Sequence, residues 1–181
     1  MRNIIKVLMD KLLKCYSMEL YSLDRSNFVS QLHMIPDDIY LTSVTQGLLK
    51  ENKSYCANHY HLWKRNIKKG AKGLFAVSDG KIVGHGWLKI NGAKDSFYRF
   101  GKKIAYISEI YVDRDFRGRG IAPAMISHFI LDYPKEYTLY ISAYASNAAS
   151  KNALLKVGFS YIRSLKFVRS CKITLNKHKI I

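Results

Sequence analysis

The spacing of apolar positions changes several times along the chain, and each change marks an element. Ile4, Ile5, Leu8, Met9, Leu12 and Leu13 recur at helical spacing, with Arg2, Lys6, Lys11 and Lys14 elsewhere, which predicts a short amphipathic helix over residues 3–14. Tyr16, Met18 and Leu20 then alternate with more polar neighbours, the two-residue period of a strand. Residues 26–69 read as helix in pieces, with Ser26 as a cap, Pro36 as a break and Lys68-Lys69-Gly70 as a cationic last turn with a stop glycine. From Gly73 to Ile90, β-rich runs flank Asp79-Gly80, a hairpin signal. A polar, aromatic loop follows over residues 91–103, then a strand-like run from Ile104 to Val112. Ile121–Leu131 reads as a buried helix, Tyr137–Tyr144 as a strand, and Ala148–Val157 as a helix stopped by Gly158. Phe159–Val168 is a further strand, with another reaching toward Leu175. The order β, helices, hairpin, β, α, β, α, β, without repeat or linker, predicts an α/β (α+β) fold with a mixed sheet, one domain over residues 1–181 with residues 1–14 as an arm.

Composition narrows the class. A chain of 181 residues with 48% apolar and 24% charged residues buries a substantial core and is neither disordered nor fibrous. Its charge is the unusual feature: Lys+Arg 30 against Asp+Glu 13 gives +17. Such a field attracts anions, and Lys-rich compositional drift accounts for it equally well. The excess concentrates in residues 52–78 (Lys53, Lys64, Arg65, Lys68, Lys69, Lys72) and 160–181 (Arg163, Lys166, Arg169, Lys172, Lys177, Lys179), stretches without an acid. Cys15, Cys56 and Cys171 are dispersed and odd in number, which fits a reducing cytoplasm better than a disulfide framework. No apolar run spans a bilayer, and Lys6, Asp10, Lys11 and Lys14 interrupt the N-terminal apolar stretch. That stretch is either a foot on a membrane surface or an arm packed on protein.

The chemistry concentrates in Tyr111-Val-Asp-Arg-Asp-Phe-Arg-Gly-Arg-Gly-Ile-Ala-Pro-Ala-Met125. A strand ends at Val112, a loop carries Arg117, Gly118, Arg119 and Gly120, and an apolar helix begins at once. Glycines let the backbone approach a ligand, and the first N–H groups of a helix lack internal partners, so the junction can seat an anion. Pro123 costs nothing in a first turn. A plain strand-to-helix turn with incidental arginines reads the same glycine pattern equally well.

The run Arg117-Gly-Arg-Gly-Ile-Ala122 resembles the R/Q-x-x-G-x-G/A signature of the GNAT superfamily, the acyl-CoA-dependent N-acetyltransferases. Glu109-Ile-Tyr-Val112 resembles the strand that leads into it. Downstream, Asn147, Ser150, Ala153, Lys156, Val157, Gly158 and Phe159 resemble the family's N-x-x-A-x-x-L-Y-x-K-x-G-F segment. The likeness is firm over residues 72–168, the expected CoA-binding core; residues 1–70 match in element order only.

This resemblance implies a mostly antiparallel sheet splayed around acetyl-CoA, with helices on its flanks. It places the pyrophosphate on the N–H groups of the loop from Arg117, Gly118, Arg119 and Gly120 to Ile121 and Ala122. It lays the pantetheine along Ile110, Tyr111 and Val112, assigns Asn147 to the same arm, and puts an oxyanion-stabilising N–H near Val112. The implied reaction is direct attack of an amine on the thioester, with Glu109 as base; a structural carboxylate is the alternative role. Strict strand alternation puts Tyr106 and Ser108 on the face opposite Glu109, and a bulge would change that. Where the family has a Tyr, this chain has Leu154, so Tyr144 or Ser142 stands in as the general acid, unless the thiolate leaves unaided.

Other candidates are weaker. His59 and His61 lie on different helix faces, so no metal site is expected. His85 and Trp87 share a strand face, either lining an acceptor pocket or half-buried in the sheet. Tyr98, Arg99 and Phe100 lie on a loop able to cover the acceptor. The leading reading is an acetyltransferase acting on a primary amine of a small molecule, anionic if the basic surface is selected; a protein or peptide amine is the variant. A non-catalytic CoA-binding module and a nucleic-acid or membrane-surface binder are the competing classes, with nucleic acid disfavoured. Monomer and homodimer are both open.

Overall fold

The computed structural model describes residues 13–24, 28, 35–90, 103–170 and 179–180. They build an eight-stranded sheet in the order β2-β3-β4-β5-β6-β1-β7-β8. The strands are β1 (Leu13–Leu23), β2 (Ile39–Ser43), β3 (Lys72–Ser78), β4 (Lys81–Ile90), β5 (Ile104–Val112), β6 (Thr138–Tyr144), β7 (Ser160–Ser170) and β8 (Lys179–Ile180). Three helices, α1 (Gln46–Glu51), α2 (Lys53–Cys56) and α3 (Tyr60–Lys68), precede β3. Helix α4 (Ile121–Asp132) joins β5 to β6, and α5 (Ala148–Lys156) joins β6 to β7. The α/β class with a mixed, mostly antiparallel sheet flanked by helices is as expected: β5 and β6 pair in parallel and the other neighbours antiparallel.

The hairpin lies where its turn chemistry put it. Asp79 and Gly80 both take positive φ, +48° and +73°, as a two-residue hairpin turn with the right-handed strand twist requires. Gly70, at φ +79°, ends the α3 segment in the left-handed conformation expected of a stop glycine. Helix α4 buries Ile121, Met125, Ile126, Phe129 and Ile130 against Leu74, Ala76, Leu88, Ile107, Leu139 and Ile141 of the sheet. Each such side chain contributes about 1.5–3 kcal/mol by leaving water. On the opposite face Trp63, Cys56, Leu49 and Val44 from the α1–α3 layer pack on Phe75, Val77 and Trp87.

Two expectations need correction. Leu13 and Lys14 are not the end of a helix; they open β1, paired with Ser170 and Arg169 of β7, and residues 1–12 lie outside the described residues. The ladder on β7 supplies hydrogen bonds that local helical spacing does not foresee. The pieces within 26–69 are not all helical: Ile39–Ser43 is an edge strand against β3. Its five residues, Ile-Tyr-Leu-Thr-Ser, are rich in strand formers, but too short to show a clear period. The strand toward Leu175 and the loop residues Tyr98, Arg99 and Phe100 lie outside the described residues, and β8 was not foreseen.

Strand β1 has the least local position. It lies between β6 and β7, with Met18 opposite both Tyr144 and Leu165. Its ladder to β7 slips by one residue between Leu20 and Tyr21.

Candidate active site

The sheet opens at its centre. Parallel pairing of β5 with β6 runs from Ile104↔Thr138 to Ile107↔Ile141 and stops there. Strand β6 continues on β1, while residues 108–112 of β5 stay with β4. The β5 edge that faces β6 is therefore unpaired over its last residues. Asp113 N–H donates to Val83 O at 2.8 Å, which fixes the alternation of the β4–β5 ladder. Val112, one residue back, must point its N–H and C=O away from β4 and into the opening, and Ile110 shares that edge. Arg117 Nε donates to the Val112 carbonyl at 2.9 Å, as this orientation requires.

A bulge sets the side chains around the opening. Ser108 pairs with Trp87 and Tyr111 with His85, so Glu109 and Ile110 together face Gly86. Glu109 takes φ +57°, unusual for a residue with a Cβ, and such strain gathers at functional positions. Strict alternation therefore fails. Ser108 and Glu109 both emerge on the α1–α3 face, and Ile110 turns to α4, where its Cδ1 lies over Gly86. Trp63 Nε1 donates to Glu109 Oε2 at 2.8 Å, and Lys89 Nζ lies 3.7 Å from Oε1. The Glu109 side chain keeps 29% of its surface exposed.

At the mouth of the opening, a short helical turn, Arg114–Phe116, leads into the glycine loop. Gly118 and Gly120 both have φ +79°, and Gly120 is the left-handed N-cap of α4. Ala124 N–H is the first to bond back, to Gly120 O at 3.0 Å. Among the described residues, the N–H groups of Gly118, Arg119, Gly120, Ile121 and Ala122 have no protein acceptor. A row of free N–H groups on a positive helix end suits a diphosphate. The two arginines are partly committed: Arg119 bridges Asp38 at 2.6 Å, and the Arg117 guanidinium lies over the Tyr111 ring at 5.9 Å. Arg119 holds the Asp38 carboxyl below its usual range.

Family membership follows from the whole arrangement together with sequence comparison. The profile of the acetyltransferase (GNAT) family matches residues 37–159. The chain belongs to the GNAT acetyltransferase family. Its sequence matches no curated protein. Solved GNAT structures share the fold at low identity. An acetyltransferase from the GNAT family of Colwellia psychrerythraea superposes with a TM-score of 0.62 at 16% identity, over 86% of this chain and 56% of that one. A GCN5-related N-acetyltransferase from Sphaerobacter thermophilus gives 0.61 at 14% identity, over 98% and 59%. The GCN5-related glucosamine N-acetyltransferase region of a fungal multi-domain β-N-acetylglucosaminidase gives 0.63 at 12%, over 92% and 22%. The chain thus spans less than two thirds of the length of each of these GNAT chains. The family match begins at residue 37, upstream of the expected core at 72, and so takes in β2 and the α1–α3 layer.

The remaining residues suggested by the GNAT resemblance lie on β6, on the turn after it and on α5. Asn147 caps α5, its Oδ1 accepting from Ser150 N–H at 3.0 Å. Tyr144 ends β6 with 53% of its surface exposed. Ser142 Oγ and Tyr106 OH share a 2.5 Å hydrogen bond that ties β6 to β5 at the base of the opening. Leu154, at the family's Tyr position, is buried in the core with Val157 and Phe159. His59 stacks on Trp63 at 5.3 Å, whereas His61 turns its ring edge-on to Tyr60. Cys56 is buried, which pushes its thiol pKa up and leaves it a poor nucleophile. Trp63, Lys89 and Tyr55 were not foreseen as site residues; only the fold brings them to Glu109 and His85, and the hint was a lone tryptophan on a cationic helix.

Proposed function

We propose that the chain transfers an acetyl group from acetyl-CoA to a primary amine of a small molecule. The observation that carries this reading is the unpaired β5 edge with the free N–H row of α4 at its mouth, in a chain of the GNAT family. Acetyl-CoA supplies the activated acyl group. Ile110 and Val112 offer main-chain partners to an extended pantetheine, as to an added strand, and Asn147 Nδ2 is free to join them. The loop from Arg117 to Ala122 takes the diphosphate through Gly118, Arg119, Gly120, Ile121 and Ala122 N–H groups, and the Arg117 side chain adds charge. Val112 N–H is the donor for the developing oxyanion.

The amine nitrogen attacks the thioester carbonyl, a C–N bond forms and the C–S bond breaks. Glu109, reached from the α1–α3 face, accepts the proton that the nitrogen must lose. Its contacts with Trp63 and Lys89 hold the carboxylate at one place beside the bulge. Tyr144 or Ser142 returns a proton to the leaving thiolate, since Leu154 has none to give. The free, buried Cys56 accords with a reducing cytoplasm. Release of thiol from acetyl-CoA that depends on an added amine tests the proposal; saturable CoA binding without turnover on a broad amine panel would favour a CoA-binding module, the reading that Leu154 supports.

A further inference from the structure

The α1–α3 face around Glu109 is walled by rings. His59 stacks on Trp63, Trp63 meets His85 at 4.6 Å, and His85 stacks on Tyr111 at 5.2 Å and 27°. Tyr55 stands edge-on to His85 and shares a 3.0 Å hydrogen bond with its Nδ1. The outer members stay open. Tyr111 is 42% exposed, and His85 Nε2 has no protein partner among the described residues and is not sealed from solvent.

The charges at this wall nearly cancel. Lys89 is committed to Glu109, and Arg117 to the Val112 carbonyl and the Tyr111 ring. Asp113 is close enough to raise the Tyr55 phenol, second to burial, and has no ion-pair partner among the described residues. Burial foremost, then His59, lowers the His85 pKa to about 4, so its imidazole is neutral at physiological pH. Thus, despite +17 overall, the wall offers a phosphate or carboxylate no uncommitted cation among the described residues, and Asp113 opposes one. Of the basic run in residues 52–78, Arg65 and Lys68 lie on the exposed side of α3, with Lys69 exposed just beyond it.

We propose that this ring-walled face is the acceptor subsite and that it takes an amine carried on an uncharged ring, rather than an amine borne by a phosphorylated or otherwise anionic molecule. The inference rests on the acetyl-transfer reading and names its acceptor class. An aromatic or sugar ring lies against the open part of Tyr111, and Tyr55 and His85 Nε2 bond to its polar groups. Its amine then points at Glu109, on the same face.

Thiol release from acetyl-CoA is measured with phenethylamine, glucosamine and glucosamine 6-phosphate. The expected result is a kcat/KM for phenethylamine or glucosamine at least tenfold above that for the phosphorylated sugar; whichever of the two is preferred tells the aromatic from the sugar ring. Tyr111→Ala and Tyr55→Phe are expected to raise KM for the preferred amine about three- to tenfold. Preference for glucosamine 6-phosphate, or unchanged KM in both variants, would overturn the proposal. A second readout needs no turnover: quenching of tryptophan fluorescence on amine titration, since Trp63, buried behind the wall, touches both His85 and Glu109. Quenching by an uncharged-ring amine but not by the phosphorylated sugar supports the subsite even in a protein that transfers nothing. No quenching and no turnover with any of the three overturns it. Failure to bind CoA on calorimetry overturns the acetyl-transfer reading instead, and the fluorescence result still decides this one.

Discussion

The indole N–H of Trp63 donates to the carboxylate of Glu109 across 46 positions of sequence, at 2.8 Å. The contact holds the candidate base to the α1–α3 layer, on the face proposed for the acceptor. Glu109→Gln keeps an acceptor oxygen for Trp63 and removes the proton-accepting charge. Turnover is expected to fall by about 10²–10⁴ with CoA affinity retained, the usual range for loss of a general base. Glu109→Ala should also cost about 1–3 kcal/mol of stability, because the buried indole N–H loses its partner. Steady-state kinetics with calorimetry, and urea denaturation, separate the two effects.

At the other end of the opening, Gly120→Glu is expected to abolish CoA binding. A carboxylate would stand at the head of the free N–H row, and the left-handed backbone at φ +79° disfavours any side chain. Gly120→Ala isolates the backbone cost, about 1–2 kcal/mol, without the charge. Calorimetry that returns wild-type CoA affinity for the glutamate variant would remove the loop as the phosphate seat.

The half-buried His85 gives stability a defined pH dependence. Its pKa is lowered from 6.5 to about 4. Between those values the unfolded chain takes up a proton that the folded chain refuses, so stability falls as the pH drops from about 6.5 to about 4 and this contribution is constant below. The loss from this group is up to about 3 kcal/mol. His85→Gln should flatten that part of the profile, as thermal or urea unfolding at stepped pH will show; an unchanged slope would count against it.

Gly86 lies opposite the bulge, where a side chain would have to displace Ile110. A Cβ there would approach Ile110 Cδ1 to 2.5 Å, Phe129 to 3.2 Å and Met125 to 3.3 Å. Gly86→Ala is expected to destabilise the protein by about 1–3 kcal/mol, in the range of an overpacked core. It should also lower turnover by displacing Ile110 and with it the β5 edge. A urea midpoint and a KM for acetyl-CoA both at wild-type values would show that the bulge tolerates the methyl group.

The elements with strong local signals were legible. Asp79-Gly80 named its hairpin, Ile104–Val112 coincided with β5, and the glycine loop stood where a strand meets a helix. The bulge at Glu109 was visible only as an option, because the register that places Glu109 and Ile110 opposite Gly86 is set across the sheet. Trp63, Tyr55 and Lys89 could not be read as site residues, since their partners are set by how the α1–α3 layer and β4 meet β5. Strand β1 was legible as a strand, but not as a neighbour of β6 and β7, because strand pairing over such a separation leaves no local periodicity.

That placement of β1 has a consequence for how the molecule assembles. Both partners of β1 come from the far end of the sequence, so its ladders close the longest loops in the fold. Such long-range closure slows folding, because chain entropy is lost before the contacts repay it. On the ribosome, β1 emerges before either partner exists and must stay unpaired while β2 to β5 are made. Until it docks, β6 and β7 expose bare edges, the species most prone to aggregate. Production at low temperature, or with a chaperone that shields unpaired strands, should therefore matter more for this chain than for a sheet built from sequential neighbours.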